Sequence, residues 1–380
     1  MIIKKYTYLQ HSNKPQMWKI EQCQFHPELN LIVGKNASGK TRIVNTINNL
    51  GGLLSGGRIG SGNWEIVFQK DQKTEIQYSL SIENYQVLKE TFIENEQIRL
   101  ERDSSGKGTI WAEKLQQKIE FQIETHELAA VKKCDSIQHP FLSALSQWSS
   151  FLRTYRFATD FGRNTMAIIV NSTGTETREE DFDKDPDKII ALYNDAIKQW
   201  GSRFFEEIKK DMQFLNYNLK EITIESVGKI QAPPASLYAF HIQEEDLEYK
   251  IPQREISQGM FRALALIIHL NYLQFSSSAQ SCILIDDIGE GLDFERSSRL
   301  IKLILKKFSS KDNVSPVQIF MTSNDRFVMN AIPLDYWLLI DRIPGGMNIF
   351  SKKNSPEMFE EFEFTGLNNF DFLASEYFKG

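Results

Sequence analysis

The chain has 380 residues, 44 basic and 50 acidic side chains for a net charge of −6, and a 41% hydrophobic content that suffices for a buried core and suggests about two lobes. The mild acidity argues against a wholly basic nucleic-acid coat but leaves room for a local basic groove. No run of about 18 apolar residues exists, and the longest candidate, Phe261 to Leu273, carries Arg262 and His269, so no membrane span is expected. At the amino terminus the lysines of MIIKKYTYLQHSNK are not followed by an apolar stretch, so the segment does not read as a secretory signal and a cytoplasmic location is expected. Leu29 to Val33 (LNLIV) reads as a strand. A glycine loop then leads into a helix from Thr41 to Leu50 with Ile43, Val44 and Ile47 on one side. Gly51 to Gly62 reads as flexible, and WEIVFQ, TEIQYSLSI, QIRLER and KIEFQI read as a small antiparallel sheet from about Trp64 to Ile123.

Leu128 to Leu152 reads as helical, and Phe151 to Phe161 as extended or loop structure whose Arg153 and Arg156 are solvated surface, with phosphate or DNA contact as the alternative. The acidic run Arg178 to Asp187 reads as a solvated loop that leads through Pro186 into a helix bearing Ile189, Ile190, Tyr193 and Ile197. Extended runs follow at Glu221 to Ser226 and Leu237 to Ile242. Next come a helix from Ser257, a buried strand at Cys282 to Ile285, a helix near Arg296 to Phe308 and a strand at Val317 to Met321. Strand and helix in alternation indicate a parallel α/β sheet. Cys23, Cys134 and Cys282 are far apart with no CxxC pair, which suits reduced thiols better than a disulfide or zinc site.

Three motifs carry chemistry. Gly34-Lys35-Asn36-Ala37-Ser38-Gly39-Lys40-Thr41 matches GxxxxGK[ST] between the strand and the helix. Its glycines let backbone N–H groups converge on phosphate oxygens at a helix N-terminus, Lys40 reaches the β- and γ-phosphates, and Thr41 offers a hydroxyl to Mg²⁺. Arg42 belongs to the same nucleotide-binding set. In Ser281 to Asp293 (SCILIDDIGEGLD) an apolar strand ends in two acids at the carboxyl edge of the sheet, so Asp286 can hold Mg²⁺ and Asp287 can orient an attacking water. Finally, Ser257, Gln258 and Gly259 open the apolar helix Phe261 to Leu273, where a hydroxyl, N–H groups and the helix dipole face an anion.

Together GKNASGKT, ISQGMFRALAL, ILIDDIGEGLD and IFMTSNDRF resemble the Walker A loop, signature, Walker B with D-loop, and switch strand of the ABC-type ATPase heads of the SMC and RecF group. The likeness is strongest to the compact bacterial AAA-family proteins that accompany anti-phage defence genes. It implies an α/β P-loop NTPase of the ABC-ATPase head type: a mixed or parallel core sheet with an antiparallel β lobe and a short helical insertion. It implies ATP and Mg²⁺ as ligands, and a homodimer or higher homo-oligomer in which Ser257 of one subunit caps the γ-phosphate held by Lys40 of the other, with Gln258, Gly259 and Asp293 in the same cage. An effector protein such as a nuclease, and nucleic acid, are the further partners it suggests. Asp287 stands where the family usually has glutamate and Asn324 where it usually has a switch histidine, so Lys40, Asp287 and Asn324 form a catalytic set expected to turn over slowly. A Q-loop glutamine, expected early in the inserted lobe, is not assigned among the many glutamines. A RecF-like DNA-repair ATPase and an ATP-dependent scaffold with negligible turnover are the rival readings.

The expected division is a lobe at 1–160 with Walker A and the β subdomain, an insertion or arm at 161–250, a second ATPase lobe at 251–345 and a tail at 346–380. The end of the chain, with Tyr336 to Ile340, the turn Pro344-Gly345-Gly346 and an acidic aromatic run, reads as an edge hairpin plus a packing helix, with partner docking as the functional alternative.

Overall fold

A computed structural model describes residues 1–12, 14–58, 60–170, 182–230, 235–276, 282–308, 317–376 and 378. Residues 178–181 of the acidic run fall outside these. The first strands, β1 (Ile2–Gln10) and β2 (Trp18–Gln24), alternate buried and open positions and pair antiparallel. β3 (Leu29–Val33) is buried at every position, which marks a strand covered on both faces. It leads through the glycine loop into α1 (Lys40–Leu54). The helix does not stop at Leu50. It runs through Gly51 and Gly52 because Leu53 and Leu54 are also buried, and a Cβ at Gly51 would come within 3.0 Å of Leu152. The expected flexible stretch therefore begins four residues later.

Six strands follow as a meander: β4 (Gly62–Gln69), β5 (Glu75–Glu83), β6 (Gln86–Glu94), β7 (Gln97–Arg102), β8 (Lys107–Ala112) and β9 (Gln117–Gln122). The expected helix from Leu128 to Leu152 is broken into α2 (Ala129–Lys132) and α3 (Ser143–Ser150), with a 3₁₀ turn opened by Pro140 between them, and Leu152 already belongs to β10 (Leu152–Arg156). Next come β11 (Ala167–Val170), α4 (Ile189–Trp200) behind the predicted Pro186 turn, and α5 (Ser202–Phe214). The hairpin β12 (Leu219–Ile230) and β13 (Ala235–Glu244), with β11 and the two-residue β14 (Ile251–Pro252), forms a small separate sheet. The last third gives α6 (Gln258–Phe275), β15 (Cys282–Asp286), α7 (Phe294–Phe308), β16 (Gln318–Thr322), α8 (Arg326–Ala331), β17 (Trp337–Ile343), β18 (Gly346–Phe350), α9 (Pro356–Phe364) and α10 (Asn369–Ala374).

One 14-stranded sheet carries the architecture, in the order β10-β15-β16-β3-β17-β18-β2-β1-β4-β5-β6-β7-β8-β9. Its first five strands are parallel, and the antiparallel meander continues the same sheet. The fold is thus the mixed α/β type expected. The β17–β18 hairpin corrects the reading of an edge hairpin. β17 pairs with β3 and β18 with β2, so the hairpin joins the parallel and antiparallel halves in mid-sheet, which is why Trp337 to Ile340 are all buried.

Each face of the sheet has its own core. On one, α1 and α3 cover Ile32, Trp64, Phe68, Tyr78, Leu284 and Phe320. On the other, α4 to α10 cover Leu31, Val33, Tyr155, Ile283, Ile285 and Met321. α6 is buried around most of its circumference, from Met260 to Asn271, as an interior helix requires. No described helix is long and apolar enough to cross a membrane. The three cysteines are free. Arg153 is corrected from surface to interior: it is buried and paired with Asp183.

Candidate functional site

The parallel strands place their carboxyl ends on one edge, and the glycine loop sits there between β3 and α1. Ala37 and Gly39 take positive φ, 62° and 109°, which curls the loop. Gly34 must be glycine: a Cβ would lie 2.6 Å from the Ile340 carbonyl and 2.7 Å from Ser38 Oγ. Lys40 Nζ donates to the carbonyls of Gly34 at 2.8 Å and Lys35 at 3.2 Å, bridging the loop across its mouth. Burial pushes the Lys40 pKa down, against the opposing pull of Asp287 and Asp286. Ser38 Oγ is buried without a partner, so the cradle holds a donor that its own chain does not satisfy. Lys35, Asn36 and Ala37 are exposed at the rim, where Lys35 pairs with Glu376 of the tail.

Asp286, at the end of β15, is clamped to both neighbours. Its Oδ1 accepts from Thr41 Oγ1 at 3.0 Å and from Thr322 Oγ1 at 2.6 Å. The Thr322 hydroxyl in turn accepts from the Asp287 N–H at 2.8 Å. Asp287 sits in the left-handed region (φ 54°), which turns the chain sharply off the strand. Partial burial raises its pKa, the charge of Asp286 raises it further, and Lys40 opposes both. The next loop is bound back to this turn: Ile288 N–H donates to the Thr322 carbonyl at 2.9 Å, and Ser323 Oγ to the Ile288 carbonyl at 2.8 Å. Asn324 follows, exposed at the same edge.

The signature residues form a second surface. Ser257 caps α6, accepting from Met260 N–H at 3.4 Å, while Gln258 Nε2 donates to Asp160 Oδ1 at 3.2 Å. Gly259 packs so closely on the 289–293 loop that a Cβ would lie 2.5 Å from the Gly291 carbonyl. Arg262 is buried and donates to three carbonyls: Thr159 at 2.9 Å, Ala158 at 2.5 Å and Glu290 at 3.1 Å. Asp293 caps α7 through Arg296 N–H at 2.9 Å and also pairs with the Arg296 guanidinium. Ser257, Gln258 and Asp293 are exposed. Among the described residues no hydrogen bond joins Ser257, Gln258, Gly259 or Asp293 to the loop Gly34–Thr41. The structure therefore gathers Gly34 to Arg42, Asp286 and Asp287 in one place, and packs the signature set on the 158–160 and 289–291 segments without a hydrogen bond to the glycine loop.

Beside the loop lies a cleft of about 660 Å³ lined by Met17, Trp18, Arg42, Arg342 and Pro344 among others. The Arg42 guanidinium lies 4.1 Å over the Trp18 ring and donates to Gln10 Oε1 at 3.0 Å, and Arg342 donates to the Ala37 carbonyl at 3.4 Å. Burial and the neighbouring Arg342 both lower the Arg42 pKa. Sequence does not mark Trp18, Arg342, Thr322 or Arg262, because their roles depend on partners in other elements: Asp286 and Asp287 for Thr322, Ala158, Thr159 and Glu290 for Arg262, Ala37 for Arg342, and for Trp18 the pairing of β2 with β18. No glutamine occurs from Leu152 to Asp160, the strand and turn beside Asp286.

Residues 29–330 match the sequence profile of a family described as "AAA domain, putative AbiEii toxin, Type IV TA system". No curated protein matches the chain. Among solved structures, an SMC head bound to the C-winged helix domain of ScpA superimposes with a TM-score of 0.51 at 15% identity, over 94% of this chain and 100% of that one. At that identity the likeness is one of fold. The SMC head domain from Thermotoga maritima gives 0.42 at 14% identity over 92% of this chain and 99% of that one. A Pyrococcus furiosus Smc head with an extended coiled coil, bound to the C-terminal domain of ScpA, gives 0.48 at 12% over 95% and 99%.

Proposed function

The chain belongs to this AAA-domain family, and from that premise we propose that it binds ATP with Mg²⁺ at Gly34–Arg42, hydrolyses it slowly, and uses the bound nucleotide to hold two copies of itself together. The observation that carries the reading is the clamp at Asp286, where the loop threonine, the strand carboxylate and Thr322 meet at 3.0 and 2.6 Å beside a curled glycine loop. The unpartnered, buried Ser38 Oγ and the positive-φ turn at Ala37 and Gly39 suit a phosphate, and Thr41 and Asp286 suit a hard divalent cation. Mg²⁺ held there supplies neutralisation of phosphate charge.

Within one chain, Lys40 leaves the carbonyls of Gly34 and Lys35 to meet the phosphates, and Asp287 accepts a proton from water. Arg42, stacked on Trp18, and Arg342 border the cleft in which the base and ribose lie. Ser257, Gln258, Gly259 and Asp293 then act on the nucleotide of a second copy, a role that the exposure of Ser257, Gln258 and Asp293 supports. A role in anti-phage defence with a nuclease effector is the context we favour, and nucleic acid is the further partner. The strained Asp287 and the uncharged Asn324 also favour a second reading, an ATP-dependent scaffold with negligible turnover. Single-turnover assays with labelled ATP separate the two. Phosphate release that Asp287→Ala abolishes supports the switch; tight binding without release supports the scaffold; no binding at all contradicts both.

A further inference from the structure

Strand β15 has two neighbours, and each ends beside Asp286. β16 leads into Ser323 and Asn324, which carry no charge. β10 ends at Arg156, the parallel register partner of Asp286, and Phe157 N–H locks it there by donating to the Asp286 carbonyl at 2.8 Å.

Successive side chains on a strand point to opposite faces. On one face of β10, Arg153 and Tyr155 are buried, and Arg153 is neutralised by Asp183. The other face climbs α1 toward its amino terminus. Leu152 lies against Gly51, where a Cβ would come to 3.0 Å, and Thr154 Oγ1 donates to Asn48 Oδ1 at 2.8 Å. Arg156 is the next step on that face, toward the end of α1 where Thr41 meets Asp286. The Asp286 carboxylate is already engaged by Thr41 and Thr322. Arg156 is exposed, and among the described residues its side chain has no ion pair or hydrogen bond. An unneutralised guanidinium thus stands at the edge where a triphosphate, Asp286 and Asp287 would crowd negative charge.

We propose that Arg156 contacts the terminal phosphate held by the glycine loop, supplying from the same chain the positive charge that Asn324 lacks. The proposal rests on the reading of Gly34–Thr41 as an ATP site. A planar guanidinium suits this task, since it can hold two phosphate oxygens at once and stays charged under all ordinary conditions. The consequence is selective. Arg156 discriminates triphosphate from diphosphate and leaves the loop's grip on the diphosphate unchanged.

The test uses full-length protein with fluorescent N-methylanthraniloyl ATP and ADP, titrated with and without Mg²⁺. Arg156→Ala is expected to weaken triphosphate binding about tenfold or more, the scale of a charge-assisted hydrogen bond, and to leave diphosphate binding within about twofold. Arg156→Lys is expected to recover part of the loss. Retained diphosphate binding shows at once that the variant is folded. If Arg156→Ala leaves the triphosphate-to-diphosphate preference at the wild-type value, or weakens both ligands equally, the proposal is overturned. Lys40→Ala separates this failure from that of the ATP reading. Wild-type binding that Lys40→Ala removes and Arg156→Ala spares defeats the Arg156 proposal alone, whereas a wild-type protein that binds neither nucleotide defeats both.

Discussion

Replacing Thr322 with valine keeps the shape of a fully buried side chain and removes one hydroxyl. That hydroxyl makes two bonds at the site, accepting from Asp287 N–H at 2.8 Å and donating to Asp286 Oδ1 at 2.6 Å. Leaving a buried donor unsatisfied costs about 1–3 kcal/mol, and a lost bond to a charged group about as much again. The Asp286 carboxylate keeps Thr41 as a partner, so the lower half of that range applies and the total is about 2–3 kcal/mol. An unfolding entropy of about 2.1 cal/mol/K per residue then converts this to a melting-temperature drop of roughly 2.5–4 °C. The turn at Asp287 also loses the bond that holds its left-handed backbone, so single-turnover phosphate release is expected to fall by about tenfold or more. Differential scanning calorimetry and a quenched-flow assay read the two effects. Thr322→Ser, which restores the hydroxyl, is expected to recover most of both. If Thr322→Val melts and turns over as the wild type does, or if Thr322→Ser is as damaging as Thr322→Val, the hydroxyl is not what organises this edge.

Asp287→Asn is expected to raise the thermal stability of the nucleotide-free protein at neutral pH while stopping hydrolysis. The Asp287 pKa is raised by burial and by Asp286, so its ionised form penalises the fold above that raised value. The penalty lifts as pH falls through the folded value toward the ordinary carboxyl value of 3.8, and the advantage of Asp287→Asn should shrink over that same interval in melting curves taken across pH. Gly34→Ala places a methyl 2.6 Å from a backbone carbonyl, and a loss of about 1–3 kcal/mol in chemical denaturation is expected, together with loss of nucleotide binding. Unchanged binding would show that the loop has another conformation available. Arg262→Lys keeps the charge and cannot span the carbonyls of Ala158, Thr159 and Glu290, so hydrogen exchange should rise in both segments by about tenfold or more. Protection confined to wild-type levels in either segment would contradict the strap.

Much of this architecture could be read from the chain because the relevant signals are local. The all-buried pentads at β3, β15 and β16 are bounded by glycine, acid or polar residues, and the GxxxxGK[ST] spacing fixes the loop between strand and helix. What stayed hidden depended on pairing. β6 was overlooked because its flanking turns, Asn84-Tyr85 and Asn95-Glu96, reach positive φ at both positions without glycine. The β17–β18 hairpin looked like an edge because the sequence cannot show that β3 and β2, some three hundred residues earlier, flank it. Arg153 and Arg156 read alike in sequence, although their odd spacing of three residues puts them on opposite faces of β10, one in an interior ion pair and the other at an open edge. Thr322 gave no sign beyond its place before Ser323, since its role appears only when β16 lies against β15.

In the proposed dimer each nucleotide is held between two copies, the loop from one and the Ser257 surface from the other. Mixing two variants tests it directly. Lys40→Ala lacks a working loop and Ser257→Arg lacks a working cap, so each alone is expected to release no phosphate. In a random mixture of dimers half pair unlike chains and one of their two sites is intact, so phosphate release should return to roughly a quarter of the wild-type amplitude. A mixture of folded variants that stays silent beside an active wild type would show that no nucleotide is shared between two copies.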